Sequence, residues 1–301
     1  MKNTIIIFLV IIVVGLGVYL LIQNSPSSSD LDLKQDQNLT ATTTETGETQ
    51  LVDKSKTIIG TSVEKRDIIA YHYGTGNTEI LLIGGIHGGY SWNTALVAYE
   101  TMDYLEKASS TIPANVRVTV IPVLNPDGLA KIGASTTASF SPSNISSNSA
   151  LLTSARFNSH NVDLNRNFDC DWQAAGTWQN KTVSGGSGAF SEPESQALKN
   201  YIEKNHPTAV VVWYSAAGGV YASNCHNGIS TGTRALTKTY ADVSGYKAYE
   251  NFDFYEITGD MVNWLAKNDI AAISVLLSNH TDTEWAKNKA AIGALLKYYA
   301  K

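Results

Sequence analysis

The run Leu81-Leu82-Ile83-Gly84-Gly85-Ile86-His87-Gly88-Gly89 constrains this 301-residue chain more than any other stretch. Residues 80–83 are wholly apolar and short, which suits a central strand buried on both faces. A glycine pair stops that strand and one histidine follows. From residue 92 the apolar positions Leu96, Tyr99, Met102 and Leu105 recur at helical spacing. Strand, loop and helix in that order put the loop at the carboxyl edge of a sheet, where open α/β folds bind ligands. His87 is therefore the first candidate for a site.

The rest of the chain alternates in the same way. Residues 67–73, 116–123, 209–213 and 270–277 read as strands, and residues 92–107 and 261–267 as helices. Ser191-Glu192-Pro193-Glu194 reads as a capping box opening a helix through Leu198, Tyr201 and Ile202. Thr281-Asp282-Thr283-Glu284 reads as the cap of a last helix carrying Trp285, Ile292 and Leu295. Gly74-Thr75-Gly76-Asn77 and Asn125-Pro126-Asp127-Gly128 read as turns, and residues 130–160, rich in Ser, Asn and Thr, as a long loop. These elements predict a three-layer α/β sandwich with a mixed, mostly parallel central sheet over residues 57–301.

With 43% apolar and 16% charged residues the chain builds one large core. A net charge of −5 and the lack of a Lys/Arg cluster exclude a nucleic-acid track. Residues 5–22 form an apolar stretch long enough to span a bilayer. Lys2 before it and acidic residues after it place the body of the chain outside. Residues 1–23 are thus expected to be an uncleaved anchor, with a cleaved signal and a secreted product as the alternative. Residues 24–56 are polar and read as a flexible tether. Cys170 and Cys225 allow at most one internal disulfide, expected outside the cytoplasm; inside it they would be buried thiols.

Several segments together resemble the zinc carboxypeptidase family, especially its bacterial members acting on cell-wall peptides. They are Gly60-Thr61-Ser62 through Arg66-Asp67-Ile68, the His87 run, Ile121-Pro122-Val123-Leu124-Asn125-Pro126-Asp127-Gly128, Val162-Asp163-Leu164-Asn165-Arg166-Asn167-Phe168, and Gly188-Ala189-Phe190-Ser191-Glu192-Pro193-Glu194. The resemblance spans about residues 58–299. It implies zinc held by a His and a Glu after the first buried strand and by a second His ending a later strand, with another Glu as general base. The metal lowers the pKa of its bound water to about 7, and the base accepts the proton.

Only His87 keeps its place in that set. Tyr90, or Ser91 if one residue is inserted, stands for the ligand Glu, Tyr214 for the second His, and Leu276 for the base. The resemblance also assigns Asp163 to orienting His87, Asn165 and Arg166 to gripping a peptide's terminal carboxylate, Arg156 to polarising the scissile carbonyl, and Tyr255 to the substrate side. The expectation is a protein without cofactor and without hydrolysis. It would bind peptide C-termini or cell-wall peptides and be anchored to a membrane on its extracytoplasmic face. The alternative is an active zinc hydrolase with a displaced metal site, and a third is a folded domain with no ligand.

Other residues have blander readings. His72, His160, His226 and His280 read as surface or loop residues, His280 lying just past the replaced base. Ser91, His87 and Asp163 match a hydrolase triad in residue type, but their spacing fits no nucleophile elbow. Glu192 and Glu194 read as helix caps, and Trp213, Tyr214 and Tyr221 as core.

Overall fold

The computed structural model describes residues 39–43, 49–53 and 55–301. The expected anchor lies outside the described residues, among which no helix is long and apolar enough to cross a membrane. Most of the expected tether lies outside them too. Within it, β1 (Leu39–Thr43) and β2 (Thr49–Asp53) pair as a two-stranded ribbon, in keeping with the β-propensity of their Thr and Val content.

The second unit, from Asp53 onward, builds one sheet of eight strands. These are β3 (Lys56–Thr61), β4 (Asp67–Tyr73), β5 (Thr78–Ile83), β6 (Val116–Ile121) and, after a separate hairpin of β7 (Ala175–Trp178) and β8 (Lys181–Ser184), β9 (Ala209–Ser215), β10 (Gly219–Ala222), β11 (Ala248–Tyr249) and β12 (Ala271–Leu277). Their order is β11-β10-β12-β9-β5-β6-β4-β3. The centre, from β12 through β9 and β5 to β6, is parallel, and the joins of β10 to β12, β6 to β4 and β4 to β3 are antiparallel.

The helices are α1 (Trp92–Lys107), α2 (Pro126–Lys131), α3 (Ser149–Ser154), α4 (Pro193–Asn205), α5 (Thr231–Ser244), α6 (Met261–Lys267) and α7 (Trp285–Tyr299). Strand periodicity sorts them into layers, because successive side chains point to opposite faces. Leu81, Ile83, Val210 and Val212 pack on one face with Leu198 and Ile202 of α4 and Met261 and Leu265 of α6. Ile80, Leu82, Val211 and Trp213 pack on the other with Leu105 of α1, Tyr240 of α5 and Leu295 of α7. Each such side chain contributes about 1.5–3 kcal/mol on burial, so the apolar strands outweigh the weak helix signals around them.

Local chemistry departs from the sequence reading in four places. Asn125–Gly128 is not a free turn: the Asn125 side chain accepts from the Gly128 amide and caps α2. The 130–160 loop contains α3, capped by Asn148. Neither expected capping box forms. Glu192 at the N-cap of α4 makes no side-chain cap bond, because its carboxylate and that of Glu194 accept from Asn158 Nδ2 at 2.7 and 3.1 Å. Glu284 likewise leaves its cap position bare and turns to the Ser278 amide and Lys287.

Candidate functional site

The site grows from the place where three parallel strands end side by side. In register Ile83 of β5 opposes Val212 of β9, and Tyr214 of β9 opposes Leu276 of β12. Two glycines let the loop after β5 fold tightly there. Gly85 has φ +64°, and a Cβ on it would lie 2.9 Å from Val123 Cα. Gly88 has φ +43°, and a Cβ would lie 2.7 Å from the Ala155 carbonyl oxygen. Only glycine meets both demands. The Asn125 amide then donates to Gly85 O at 3.0 Å and the Gly89 amide to Ala155 O at 3.0 Å, fixing His87 between the loops.

His87 is 4% exposed, and neither ring nitrogen has a hydrogen-bond partner. Its Nε2 lies 3.5 Å from Asp163 Oδ1, beyond the usual hydrogen-bond range. Burial, aided by the charge of Arg156, pushes its pKa down to about 4 against the pull of Asp163, so the ring is neutral near pH 7. Asp163 instead belongs to Arg156, whose Nε donates to Oδ2 at 2.9 Å and whose Nη2 forms an ion pair with the same oxygen at 2.9 Å. Burial disfavours the Asp163 carboxylate, but Arg156 and His87 outweigh it and hold the pKa well below the usual range. The Arg156 guanidinium also lies over the Trp178 ring, 4.3 Å from its centroid.

Tyr214 is tied up as well. Its hydroxyl donates to Asn165 Oδ1 at 3.1 Å, and burial raises its pKa well above the ordinary phenol value. Asn165 Oδ1 also accepts from the Met261 amide, and its Nδ2 donates to Asp260 Oδ2 at 3.0 Å. Arg166 donates from Nε and Nη2 to Thr177 O and from Nη1 to Asn165 O. A guanidinium has five N–H groups, so one remains on each terminal nitrogen. The Tyr255 ring lies 5.9 Å from that guanidinium.

A cavity of about 410 Å³ joins these groups. His87, Tyr90, Arg156, Asn165, Arg166, Tyr214, Tyr255 and Leu276 all line it, so the structure gathers nearly every residue the sequence singled out. Tyr90 meets Trp178 and His280 edge to face, at 4.9 and 4.5 Å between centroids. Ser91 is outside the wall, buried at the N-terminus of α1 with its Oγ unpartnered. No side-chain hydrogen bond joins the Ser91 hydroxyl to the His87 ring, and the triad does not form.

Several bland readings also change. Tyr214 and Tyr221 are core residues that equally form the cavity wall, whereas Trp213 is core alone and donates to the Tyr240 hydroxyl. His72 sits half-buried within β4 rather than in a loop, its ring nitrogens against the Thr57 and Thr119 hydroxyls. His226 and His280 line the cavity, and His160 is on the surface beside Glu192. Sequence reasoning missed Asp260, Trp178 and Asn224. Asp260 precedes a helix and looks like an ordinary cap, Trp178 lies in an irregular stretch, and nothing in their spacing connects them.

An α/β protein with its cavity at the carboxyl ends of parallel strands, walled by arginines, is the class that fold and site define. The chain belongs to the zinc carboxypeptidase family, whose model matches residues 48–292. Similar solved structures include murein-tripeptide amidase MpaA from Escherichia coli O157, at 18% identity and TM-score 0.56 over 81% of this chain and 92% of that one. Bovine thrombin-activatable fibrinolysis inhibitor, in complex with tick carboxypeptidase inhibitor, aligns at 16% identity and TM-score 0.62, over 81% of this chain and 88% of that one. Carboxypeptidase A from Helicoverpa armigera aligns at 16% and 0.61, over 81% and 66%. No curated protein matches the chain.

Zinc, which the family implies, takes about four nitrogen, oxygen or sulfur donors, three from protein in a catalytic site. Here His87 offers a nitrogen, the second position offers only the Tyr90 phenol or the Ser91 hydroxyl, Tyr214 is a neutral phenol already committed to Asn165, and Leu276 at the base position cannot accept a proton. Among the described residues one cluster of three His, Cys, Asp or Glu donors exists, Cys170 with Asp171 and Cys225. Its two cysteines are bonded to each other as a disulfide, their Cα atoms 6.1 Å apart. The residues present do not fit a catalytic zinc.

Proposed function

We propose that this chain binds peptides through their free C-terminal carboxylate and does not hydrolyse them. The observation that carries the reading is a split within one cavity. Arg166 keeps two unspent N–H groups there, whereas the positions of the second ligand and the base hold Tyr214 and Leu276. A planar carboxylate matches the two outward N–H groups of a guanidinium. Arg156, bonded to Asp163, adds positive potential and further N–H groups to the same cavity, and the Tyr255 ring lies 5.9 Å from the Arg166 guanidinium.

Cell-wall peptides are the proposed ligands, in line with the likeness to a murein-tripeptide amidase. The proposed location is outside the cytoplasm, tethered by residues 1–23, which the Cys170–Cys225 disulfide supports. The second reading, an active zinc hydrolase, draws on the two unpartnered nitrogens of buried His87.

Calorimetry on the 301-residue chain separates the two. Peptides with a free carboxylate bind and their C-terminal amides do not, zinc gives no stoichiometric isotherm, and mass spectrometry finds no cleaved product. Stoichiometric zinc at micromolar affinity with product release overturns the proposal. Ser91→Glu, Tyr214→His and Leu276→Glu introduced together are expected to restore zinc uptake.

A further inference from the structure

The disulfide in the cavity wall has neighbours that a simple cross-link does not need. Cys170 and Cys225 are 5% and 7% exposed, and both line the cavity. Each is followed by a side chain able to bind a metal, Asp171 and His226. Asp171 Oδ2 lies 3.8 Å from Cys170 Sγ, and Asp171 Oδ1 lies 2.8 Å from His226 Nε2. One donor atom from each of Cys170, Asp171 and Cys225 lies within 4.8 Å of the others. Asp171 and His226 both stand at positive φ, +52° and +65°, where residues other than glycine are uncommon. The fold thus holds two dipeptides, Cys-Asp and Cys-His, face to face.

These two segments are also held without the sulfur bond. The Gly259 amide donates to Cys170 O at 2.7 Å, and the Asn224 amide to Asn263 Oδ1 at 3.0 Å. Both anchors lie on α6 or just before it, so opening the disulfide leaves the cysteines on one support. A dithiol reductant opens it by exchange: the S–S bond of the reductant forms as that of the protein breaks, and two electrons and two protons pass to the cysteines. Thiolates are the ligands that favour zinc over hard cations. Zn–S bonds of about 2.3 Å set the sulfurs roughly 4 Å apart, a spread that rotation about the two Cα–Cβ bonds supplies.

We infer that Cys170, Cys225 and Asp171, once the disulfide is reduced, form a site for one thiophilic divalent ion such as zinc. Asp171 binds through Oδ2, and His226 fixes that carboxylate through Oδ1, as hydrogen-bonded partners of metal ligands do. The two thiols release their protons to solvent as the ion enters, and water from the cavity completes the shell. No reaction is assigned to the bound ion. The site shares no ligand with the His87 position and stands independently of the peptide-binding reading. The disulfide belongs to an oxidising compartment and the ion to a reducing one.

The test compares the oxidised 301-residue chain with the same chain reduced anaerobically by a phosphine, which offers the metal no thiolate. The reduced chain is expected to take one equivalent of cobalt with a thiolate-to-metal absorption band, and zinc to displace it. Zinc should bind the reduced chain at least about a hundredfold tighter than the oxidised one. Equal binding by both forms overturns the inference and points to a zinc site elsewhere in the chain. Binding by neither overturns it and leaves the peptide-binding reading standing. Cys225→Ser is expected to abolish stoichiometric binding, and Asp171→Asn and His226→Ala to weaken zinc at least about tenfold. Affinity unchanged in both of the latter refutes the folded cluster. Should reduction unfold the chain, tryptophan fluorescence with added zinc decides: recovery of the folded signal supports the site, and a chain still unfolded at saturating zinc refutes it.

Discussion

Asp163→Asn is the substitution whose effect the structure fixes best. The Asp163 side chain is fully buried and that of Arg156 nearly so, and two N–H groups meet one carboxylate oxygen at 2.9 Å. At an effective dielectric of about 20, unit charges about 4 Å apart attract by about 4 kcal/mol. Asparagine keeps an acceptor for the Asn165 amide, which donates to Oδ1 at 3.1 Å, but strands Arg156 in the interior. Breaking one side of a buried pair costs about 3–5 kcal/mol, whereas removing both charges often costs little. Arg156→Met alone should cost a similar amount. The double variant should cost clearly less than the sum, with a coupling of about 2–3 kcal/mol. Urea denaturation followed by tryptophan fluorescence measures this: with an m of about 2–3 kcal/mol per molar, each single variant loses about 1–2 M in midpoint. Additive losses in the double variant would refute the claim that the two charges hold each other in place.

Four further outcomes follow from the geometry. Gly85→Ala puts a Cβ 2.9 Å from Val123 Cα at a positive φ and should lower stability by about 1–3 kcal/mol, read as a fall in melting temperature. Replacing Cys170 and Cys225 by serine opens a link across 55 residues and should cost about 2–4 kcal/mol, seen as a lower urea midpoint that reductant reproduces in the parent chain. Leu82→Ala, in the core between β5 and α1, should cost about 2–5 kcal/mol by the same assay. Asp127 titrates below the usual range because bonds from Ser62, the Glu64 amide and Arg66 outweigh its burial. Its folded pKa is the lower one, so it adds stability above the ordinary carboxylate pKa and loses it as pH falls toward the folded value. The stability gap between the parent and Asp127→Asn should therefore narrow below about pH 4, as acid titration of the two proteins checks.

The central strands were legible in the sequence because their pattern has one explanation. Residues 80–83, 209–213 and, apart from Ser274, 270–277 are apolar on both sides, and only a sheet covered on two faces hides them. The carboxyl-edge position of His87 followed from the same logic. The helix starts at Trp92, Pro193 and Met261 were legible too, but the capping chemistry was not. Ser191-Glu192-Pro193-Glu194 has the residue types of a capping box, yet Asn158, distant in sequence, draws both carboxylates away. Asp260 was hidden for the opposite reason. It does cap α6 through the Asn263 amide, so its local role fully accounts for it, and its cavity-facing side emerges only when β10 and α6 come together. Tyr214 could be placed from its strand, but not its hydrogen bond to Asn165, which joins segments 49 residues apart.

That Tyr214 and Leu276 face each other across neighbouring strands bears on how such a site changes over generations. A glutamate at 276 by itself would meet the Tyr214 phenol on the neighbouring strand, and a histidine at 214 by itself would remove one of the two donors to Asn165 Oδ1. Each single exchange is expected to disturb the present contacts without completing a ligand set. Neighbouring positions therefore hold one another in their present state, and the arrangement behaves as a ratchet. On the peptide-binding reading proposed above, a zinc site at this strand edge would require these exchanges together.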